Sequence, residues 1–393
     1  MFRRLRAPLV VALLSAVFVA IVMVAEGPKE MQDFDVRWWA GWRLWHRESL
    51  YRAEDFHFQF KYPPFCALGF LPLLPFDWQP AKWVWAVILA GTFAYALWTS
   101  VKWAAEGNGE RPWILGLAAL VLVRSFEREI ANGQVNLAML ALMLGAAALQ
   151  LRKQPVGSAV LAALALTMKP YAAVFAVYYL VTRQLRALLA FVGLSAVLTV
   201  VPAWFYGWNG LWEAHRTMQA YLAKSTTALL TYPTNVSFLG MYAKWFGLDA
   251  MRWVTPLALV SVAALALPFG IQLLRAPRIT EARIVGLDVG ILSGLIVLVS
   301  PQAWDFVVIT LLPLVAALLV GFRTFGRPLR AALVASFVVL ALDYKVIFRD
   351  ATYAAFMRAS PQTWAIVVLV VAGLLLRRRW SARATTGVAP ALA

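Results

Sequence analysis

Apolar runs long enough to form membrane helices recur along the whole chain, and short knots of Lys or Arg separate many of them. A helix crossing the hydrocarbon core needs about 20 mostly apolar residues. Inside lipid only helices and closed barrels satisfy their own backbone groups. Twelve stretches qualify, at roughly 8–25, 81–102, 112–126, 134–151, 156–169, 170–182, 185–205, 251–274, 284–299, 303–321, 328–346 and 361–377. The pair 156–169 and 170–182 is short, and reads also as one bent span broken at Pro170. Residues 63–76, PPFCALGFLPLLPF, are apolar but short and proline-rich, so they read as a re-entrant or half-buried segment. Counting them as a span instead would invert the topology as far as the 156–182 pair.

Composition decides the class. Of the 393 residues 62% are hydrophobic and 14% charged, with 18 Trp and a mean hydropathy of +0.72. That much apolar surface has no soluble core to enter. Disorder, collagen and a disulfide scaffold are excluded on the same grounds, and the single Cys66 cannot form an internal disulfide. The reading is an all-α polytopic membrane protein of about 12 transmembrane helices.

The formal net charge of +17 sets orientation rather than nucleic-acid affinity. Arg3, Arg4 and Arg6 precede the first apolar run, which fits a signal peptide or an anchor; no small-x-small cleavage site follows, which favours an uncleaved first span. With that end in the cytoplasm, the short inner connections carry Lys102, Arg111, Arg152, Lys153, Arg183, Arg186, Arg275, Arg278, Arg283, Arg323, Arg327 and Arg330. The tail adds Arg377, Arg378, Arg379 and Arg383. Both termini then lie inside, and nearly all of the excess positive charge lies there, available to anionic inner-leaflet lipid. The long connections 26–80 and 206–250 fall outside. Residues 1–380 read as one membrane domain and 381–393 as a disordered cytoplasmic tail.

The outer side collects ionisable groups, and charge at membrane depth marks function. The first outer loop begins QDFDVRWWAGWRLWHRESLY. Asp33 and Asp35 open it, and Trp38, Trp42 and Trp45 recur at helical spacing, so a helix lying in the outer interface is expected. Its bland reading is an aromatic anchor with two N-capping carboxylates. The second cluster, RSFEREIANGQVN, holds Glu127, Arg128, Glu129, Asn132 and Gln134 at the mouth of an apolar helix, where unpaired polar groups are costly. Capping and interhelical hydrogen bonding are the bland account. Lys169, in LALTMKPYAAV, stands between two short apolar helices; snorkelling to the interface would also place it there. Two further polar segments, TYPTNVSFLG with Asn235 and SPQAWDFV with Trp304 and Asp305, complete the set. Lys61 and Tyr62 precede the proline-rich segment.

Carboxylates for a base, cations for an anion and amides beside aromatic rings suit sugar recognition. No P-loop, GxGxxG, HExxH or CxxC occurs, and His46, His57 and His215 are scattered, so no metal site or cofactor is expected, although Glu127 and Glu129 leave a divalent ion open.

These segments resemble glycosyltransferase family 87, membrane enzymes of the GT-C fold that use polyprenyl-phosphate sugars. The matching blocks are DFDVRWWAGWRLWHRESLY, FKYPPFCALGFLPL, ANGQVNLAMLALMLGAA, ALALTMKPYAAVFAVYYLV and SPQAWDFVVITLLP, in the family's order over residues of about 30 to 320. The NGQxN block with the later lysine-proline block is the most specific. Asp33 stands at the position of the family's catalytic aspartate. Arg37 departs from the family pattern after Val36, and Asp305 and its neighbours replace a frequent histidine after the tryptophan. Asn235 matches a weakened asparagine motif.

The resemblance implies inverting transfer of a hexose or pentose, mannose first and arabinofuranose as the variant. The donor is a polyprenyl-phosphate sugar and the acceptor a hydroxyl of a cell-envelope glycolipid or glycan, at the outer face of a bacterial inner membrane. Asp33 would be the general base and Lys169 the leading donor-phosphate ligand, with Arg37, Lys61 and Arg128 behind it. Asp35, Tyr62, Glu127, Glu129, Asn132, Gln134, Asn235, Trp304 and Asp305 would contact sugar or acceptor. Two other readings compete. A transporter or flippase of lipid-linked saccharides would line a path with intramembrane groups such as Asp288, although no inverted repeat is visible. A structural subunit would leave Lys169 and the outer carboxylates unexplained.

Overall fold

A computed structural model describes residues 2–26, 31–106, 112–275, 281–342 and 350–386. Arg111, Arg278 and residues 387–393 lie outside the described residues. The regular structure of the described residues is helical, apart from one isolated β-bridge. In order the α-helices are α1 (Phe2–Glu26), α2 (Gln32–Trp45), α3 (Trp78–Ala104), α4 (Pro112–Val121), α5 (Val123–Ala131), α6 (Asn136–Leu151), α7 (Pro155–Met168), α8 (Val174–Val181) and α9 (Leu185–Val200). They continue as α10 (Ala203–Leu229), α11 (Phe238–Phe246), α12 (Met251–Arg275), α13 (Ala282–Val299), α14 (Leu312–Gly321), α15 (Arg327–Ala341), α16 (Asp350–Arg358) and α17 (Pro361–Thr386). The last helix continues to Thr386, so the start of the expected disordered tail is helical.

The protein is a polytopic membrane protein, with six to eight candidate spans among the described residues. Each of the twelve apolar stretches is mostly helical, and among the described residues six helical segments are long and apolar enough to cross: Pro8–Ala25, Trp78–Ala104, Leu248–Arg275, Ala282–Val299, Asp305–Thr324 and Ala351–Ala382. Two bent pairs, α5 with α6 at 115° and α9 with α10 at 85°, raise the number to at most eight. Local chemistry explains one of the short helices. α7 has 14 residues, about 21 Å at 1.5 Å per residue against a core of about 30 Å. It stops because Lys169 precedes Pro170 and takes extended angles, φ −150° and ψ 143°, the conformation that a following proline imposes.

The chain divides into two compact units, one of residues 1–95, 127–180 and 184–228, the other of residues 96–126, 181–183 and 229–393. In the first, α1 leaves Leu9, Leu13, Leu14, Ile21 and Val24 exposed, an apolar face suited to lipid. Residues 64–73 form a short 3-10 helix, with Cys66, Ala67 and Phe70 buried. It packs against α2 closely enough that a Cβ on Gly41 would lie 3.2 Å from the Phe70 Cβ. The expected helix after the first apolar run is therefore present, but its buried face differs from the expected tryptophan stripe. Phe34, Arg37, Trp38, Ala40, Gly41 and Leu44 face inward, while Trp45 is 60% exposed. Burying Arg37 is tolerable only because its guanidinium is hydrogen-bonded, as described below.

In the second unit α13 is buried from Ile284 to Leu298, the pattern of a helix surrounded by others. Small residues allow the close approach: Gly290 faces the Leu314 backbone, Gly294 faces Val370 and Gly321 faces Leu376, as expected where helices pack without a hydrophobic drive between them. Asp288 on α13 accepts from Arg377 Nε at 2.5 Å and Nη2 at 3.2 Å, both side chains 1% exposed. Arg377 is therefore a buried partner and not a tail residue. The acid that motivated a transport path is closed off within this pair.

Candidate active site

The site in the first unit begins at the first turn of α2. Asp33 and Asp35 both lie there, where the helix dipole favours carboxylates, yet they meet different groups. Asp35 accepts from Trp78 Nε1 at 2.7 Å and from Lys82 Nζ at 3.0 Å, and Lys82 is fully buried. Lys82 also lies over the Trp78 ring, 4.4 Å from its centroid. Burial pushes the Asp35 carboxyl above the usual carboxylate range, against the pull of Lys82 and Trp78. Asp35 thus ties α2 to α3. Neither Lys82 nor Trp78 was expected at the site; the available signal was a lysine in the first turn of a strongly apolar helix.

Asp33 meets the ANGQVN segment instead. Gln134 Nε2 donates to Asp33 Oδ2 at 2.5 Å. The Asp33 backbone N–H donates to the Asn132 carbonyl at 3.1 Å. Among the described residues Asp33 Oδ1 has no hydrogen-bond partner. The segment achieves this through a helix stop: Gly133 N–H donates to the Ile130 carbonyl and Gln134 N–H to the Glu129 carbonyl, the paired bonds of a Schellman cap with glycine in the left-handed position. Gly133 has φ +64°, and a Cβ there would fall 2.6 Å from Phe34 Cβ. Only glycine satisfies both demands. Trp85 Nε1, on α3, donates to the Gln134 carbonyl at 3.1 Å and holds the turn from behind.

Arg37, one turn after Asp33, is 2% exposed. Its Nη1 donates to the Asp33 carbonyl at 2.8 Å, and its Nη2 donates to the Tyr62 hydroxyl at 2.8 Å and to Gln134 Oε1 at 3.4 Å. Its guanidinium sits 4.8 Å from the Tyr62 ring centroid. Its Nε is buried without a partner. Burial pushes the Tyr62 hydroxyl up to about 12, against the pull of Arg37, so the ring stays protonated. Lys61 is half-buried and makes no hydrogen bond or ion pair among the described residues. Burial lowers its pKa, and the Asp33 charge opposes that fall.

Behind this layer lies a buried chain of three residues. Glu129 accepts from Asn136 Nδ2 at 2.7 Å and from the Leu137 N–H at 2.9 Å, capping α6. Lys169 Nζ donates to Asn136 Oδ1 at 2.8 Å. Glu129 and Asn136 are 0% exposed and Lys169 is 3%. The NGQxN block and the lysine-proline block therefore do meet. Both amides make hydrogen bonds within the protein: Gln134 holds Asp33, and Asn132 Nδ2 turns back to the Arg128 carbonyl at 2.7 Å. Glu127 and Arg128 are half-buried on α5.

Asn235, Trp304 and Asp305 belong to the second unit. Asn235 is 0% exposed; its Nδ2 donates to the Leu230 and Pro301 carbonyls, and its Oδ1 accepts from the Ser237 N–H and hydroxyl. It pairs with Trp304 in the β-bridge, and Val236 N–H donates to the Ala303 carbonyl at 2.7 Å. Trp304 stands edge-on to Tyr232, with centroids 5.2 Å apart. Asp305 is buried, and its Oδ1 accepts from the Phe306 N–H at 2.9 Å. The two segments that stood out separately in the sequence are thus bonded to each other. Among the described residues no group of three or more His, Cys, Asp or Glu side chains comes together as a metal site.

Chemically, the first unit offers one carboxylate oxygen clamped, the other open, and a lysine that feels the Asp33 charge but makes no hydrogen bond among the described residues. The sequence model of glycosyltransferase family 87 matches residues 60–301. A polyprenol-phosphate-mannose-dependent alpha-(1-2)-phosphatidylinositol mannoside mannosyltransferase of Mycobacterium tuberculosis is 26% identical, covering 84% of this chain and 81% of its own length. The protein of the same description from Mycolicibacterium smegmatis is also 26% identical, covering 87% and 88% respectively.

Proposed function

Since the chain belongs to glycosyltransferase family 87, we propose that it moves a sugar, mannose first, from a polyprenyl-phosphate donor to a hydroxyl of a glycolipid or glycan. The relatives' names supply the donor class and point to a glycolipid acceptor. The placement of Lys and Arg supports a reaction at the outer face of the membrane, and the family resemblance supports a bundle of the GT-C type.

The observation that carries the mechanism is the asymmetric Asp33 carboxylate. Gln134 fixes Oδ2, so the open Oδ1 is the proton acceptor. The acceptor hydroxyl oxygen attacks the anomeric carbon as its proton passes to Asp33. A new glycosidic C–O bond forms and the bond from the anomeric carbon to the phosphate oxygen breaks. The electron pair leaves with the polyprenyl phosphate, and configuration inverts. Charge grows on the phosphate as the bond breaks, and a cation positioned there stabilises it.

Of the four basic residues considered, Lys61 suits that task best, because it is half-buried and has no hydrogen-bond partner among the described residues. Lys169 is held by Asn136 and Arg37 by Tyr62 and the Asp33 carbonyl; both act by positioning. The unpartnered Nε of Arg37 is a further donor that a ligand oxygen would satisfy.

The test is transfer by the purified protein in liposomes, using radiolabelled polyprenyl-phosphate mannose and a phosphatidylinositol mannoside acceptor. Labelled product with release of polyprenyl phosphate supports the reading. Donor moved across the bilayer without product would replace it with transport.

A further inference from the structure

The second unit carries a groove unrelated to the Asp33 site. It is open, about 420 Å3 in volume, and lined by α4, α14, α15 and the turn after α14. That size lies within the range of about 300–1,000 Å3 usual for ligand clefts. Its lining is entirely apolar or aromatic, including Trp113, Leu117, Phe322, Val334, Phe337 and Val338. In a soluble protein such a groove would be a liability; in a membrane it is a seat for a hydrocarbon chain.

One end of the groove is marked by charge. The candidate span Asp305–Thr324 finishes there, immediately after the groove residue Phe322, so this end stands at headgroup level. Arg323 follows Phe322, and α15 opens with Arg327 and Arg330. Arg330 lies one helical turn before the groove residue Val334, and side chains on a helix lean toward its N-terminus, which carries its guanidinium away from the apolar wall toward the headgroups. Among the described residues none of the Arg323, Arg327 and Arg330 side chains makes a hydrogen bond or ion pair. Arg379 adds a fourth cation beside them, donating to the Thr324 hydroxyl at 3.3 Å.

We propose that this groove binds one anionic phospholipid, with an acyl chain between α4, α14 and α15 and the phosphate at Arg323, Arg327 and Arg330. Charge complementarity favours an anionic over a zwitterionic lipid. In the orientation set by the basic connections these arginines face the cytoplasm, which distinguishes the lipid from the donor used at the outer face. The site is independent of the proposed transfer reaction.

The experiment is native mass spectrometry of the full chain after delipidation and incubation with equimolar phosphatidylglycerol, phosphatidylcholine of the same chains, and undecaprenyl phosphate. Phosphatidylglycerol is expected to be retained over phosphatidylcholine. Arg330→Gln should lower its retention about fivefold, the effect of one headgroup cation, and Val338→Trp should lower it by filling the groove. Arg330 is at the edge of the groove, so its variant keeps the test valid if Val338→Trp fails to fold. Equal retention of the two phospholipids, preferred retention of undecaprenyl phosphate, unchanged binding in Arg330→Gln, or protein dimers in place of lipid adducts would each overturn the proposal.

Discussion

Gln134 donates a 2.5 Å hydrogen bond to the Asp33 carboxylate across 101 residues of sequence, and the same amide accepts from Arg37. If Asp33 is the base proposed above, a side chain used in this way orients it. Gln134→Ala should therefore lower kcat by about 10²-fold, the loss expected when a reacting group is misplaced by an ångström, and leave KM for the donor nearly unchanged. A raised KM with intact kcat would assign Gln134 to sugar binding.

Gly133 is the hinge of that arrangement. Its φ of +64° and its approach to Phe34 mean that Gly133→Ala adds both backbone strain and a clash. The strain alone is worth about 1–3 kcal/mol. The variant should melt earlier in detergent and lose activity, whereas Gly91→Ala, where nothing lies within 4 Å, should keep both. Thermal unfolding followed by intrinsic fluorescence checks it.

Lys61 links activity to pH. Its pKa lies below the usual 10.5 because of burial, so the charge that would steady the phosphate disappears at a lower pH than for an exposed lysine. The alkaline limb of the kcat profile should fall below the ordinary lysine range. In the window between the lowered folded pKa and the unfolded value the unfolded chain binds more protons, so this group's contribution to stability rises with pH as activity falls. Lys61→Arg should move the limb upward, and Lys61→Met should abolish it along with most activity. A limb unchanged in Lys61→Arg would assign the phosphate to another cation.

The Asp288–Arg377 pair is fully buried. Removing one partner strands a charge and costs about 3–5 kcal/mol. Asp288→Ala should thus reduce the folded yield sharply, while Asp288→Leu with Arg377→Leu should recover part of it. Turnover per folded molecule should stay at the native level in the double variant. A specific loss of transfer would give the pair a functional role.

Helicity of the apolar stretches, a helix opening with Asp33 and Asp35, and the meeting of the NGQxN block with Lys169 were all legible in the sequence. The breaks and bends of the helices were not, because apolar content does not show where a helix ends. The break at Lys169 comes from Pro170, and the bend of 115° between α5 and α6 from the cap at Gly133. The burial of Arg37 and Lys82 was not legible, because a cation in a sequence reads as surface unless its partners are known. Those partners, Tyr62 and Gln134 for one and Asp35 for the other, lie 25 to 97 residues away. The hydrogen-bond partners of Asn132 and Gln134 were hidden for the same reason: residue type indicates capacity to hydrogen-bond, and only geometry indicates to what.

The most direct measurement is the single-turnover rate of sugar transfer from polyprenyl-phosphate mannose by Asp33→Asn, with native melting behaviour established first. Asparagine keeps the shape and a hydrogen bond to Gln134 but cannot take the acceptor proton. The rate should fall by about 10²–10⁴-fold, the range for loss of a general base, with donor binding retained. Transfer at the native rate would show that Asp33 is not the base and that the site lies elsewhere in the chain.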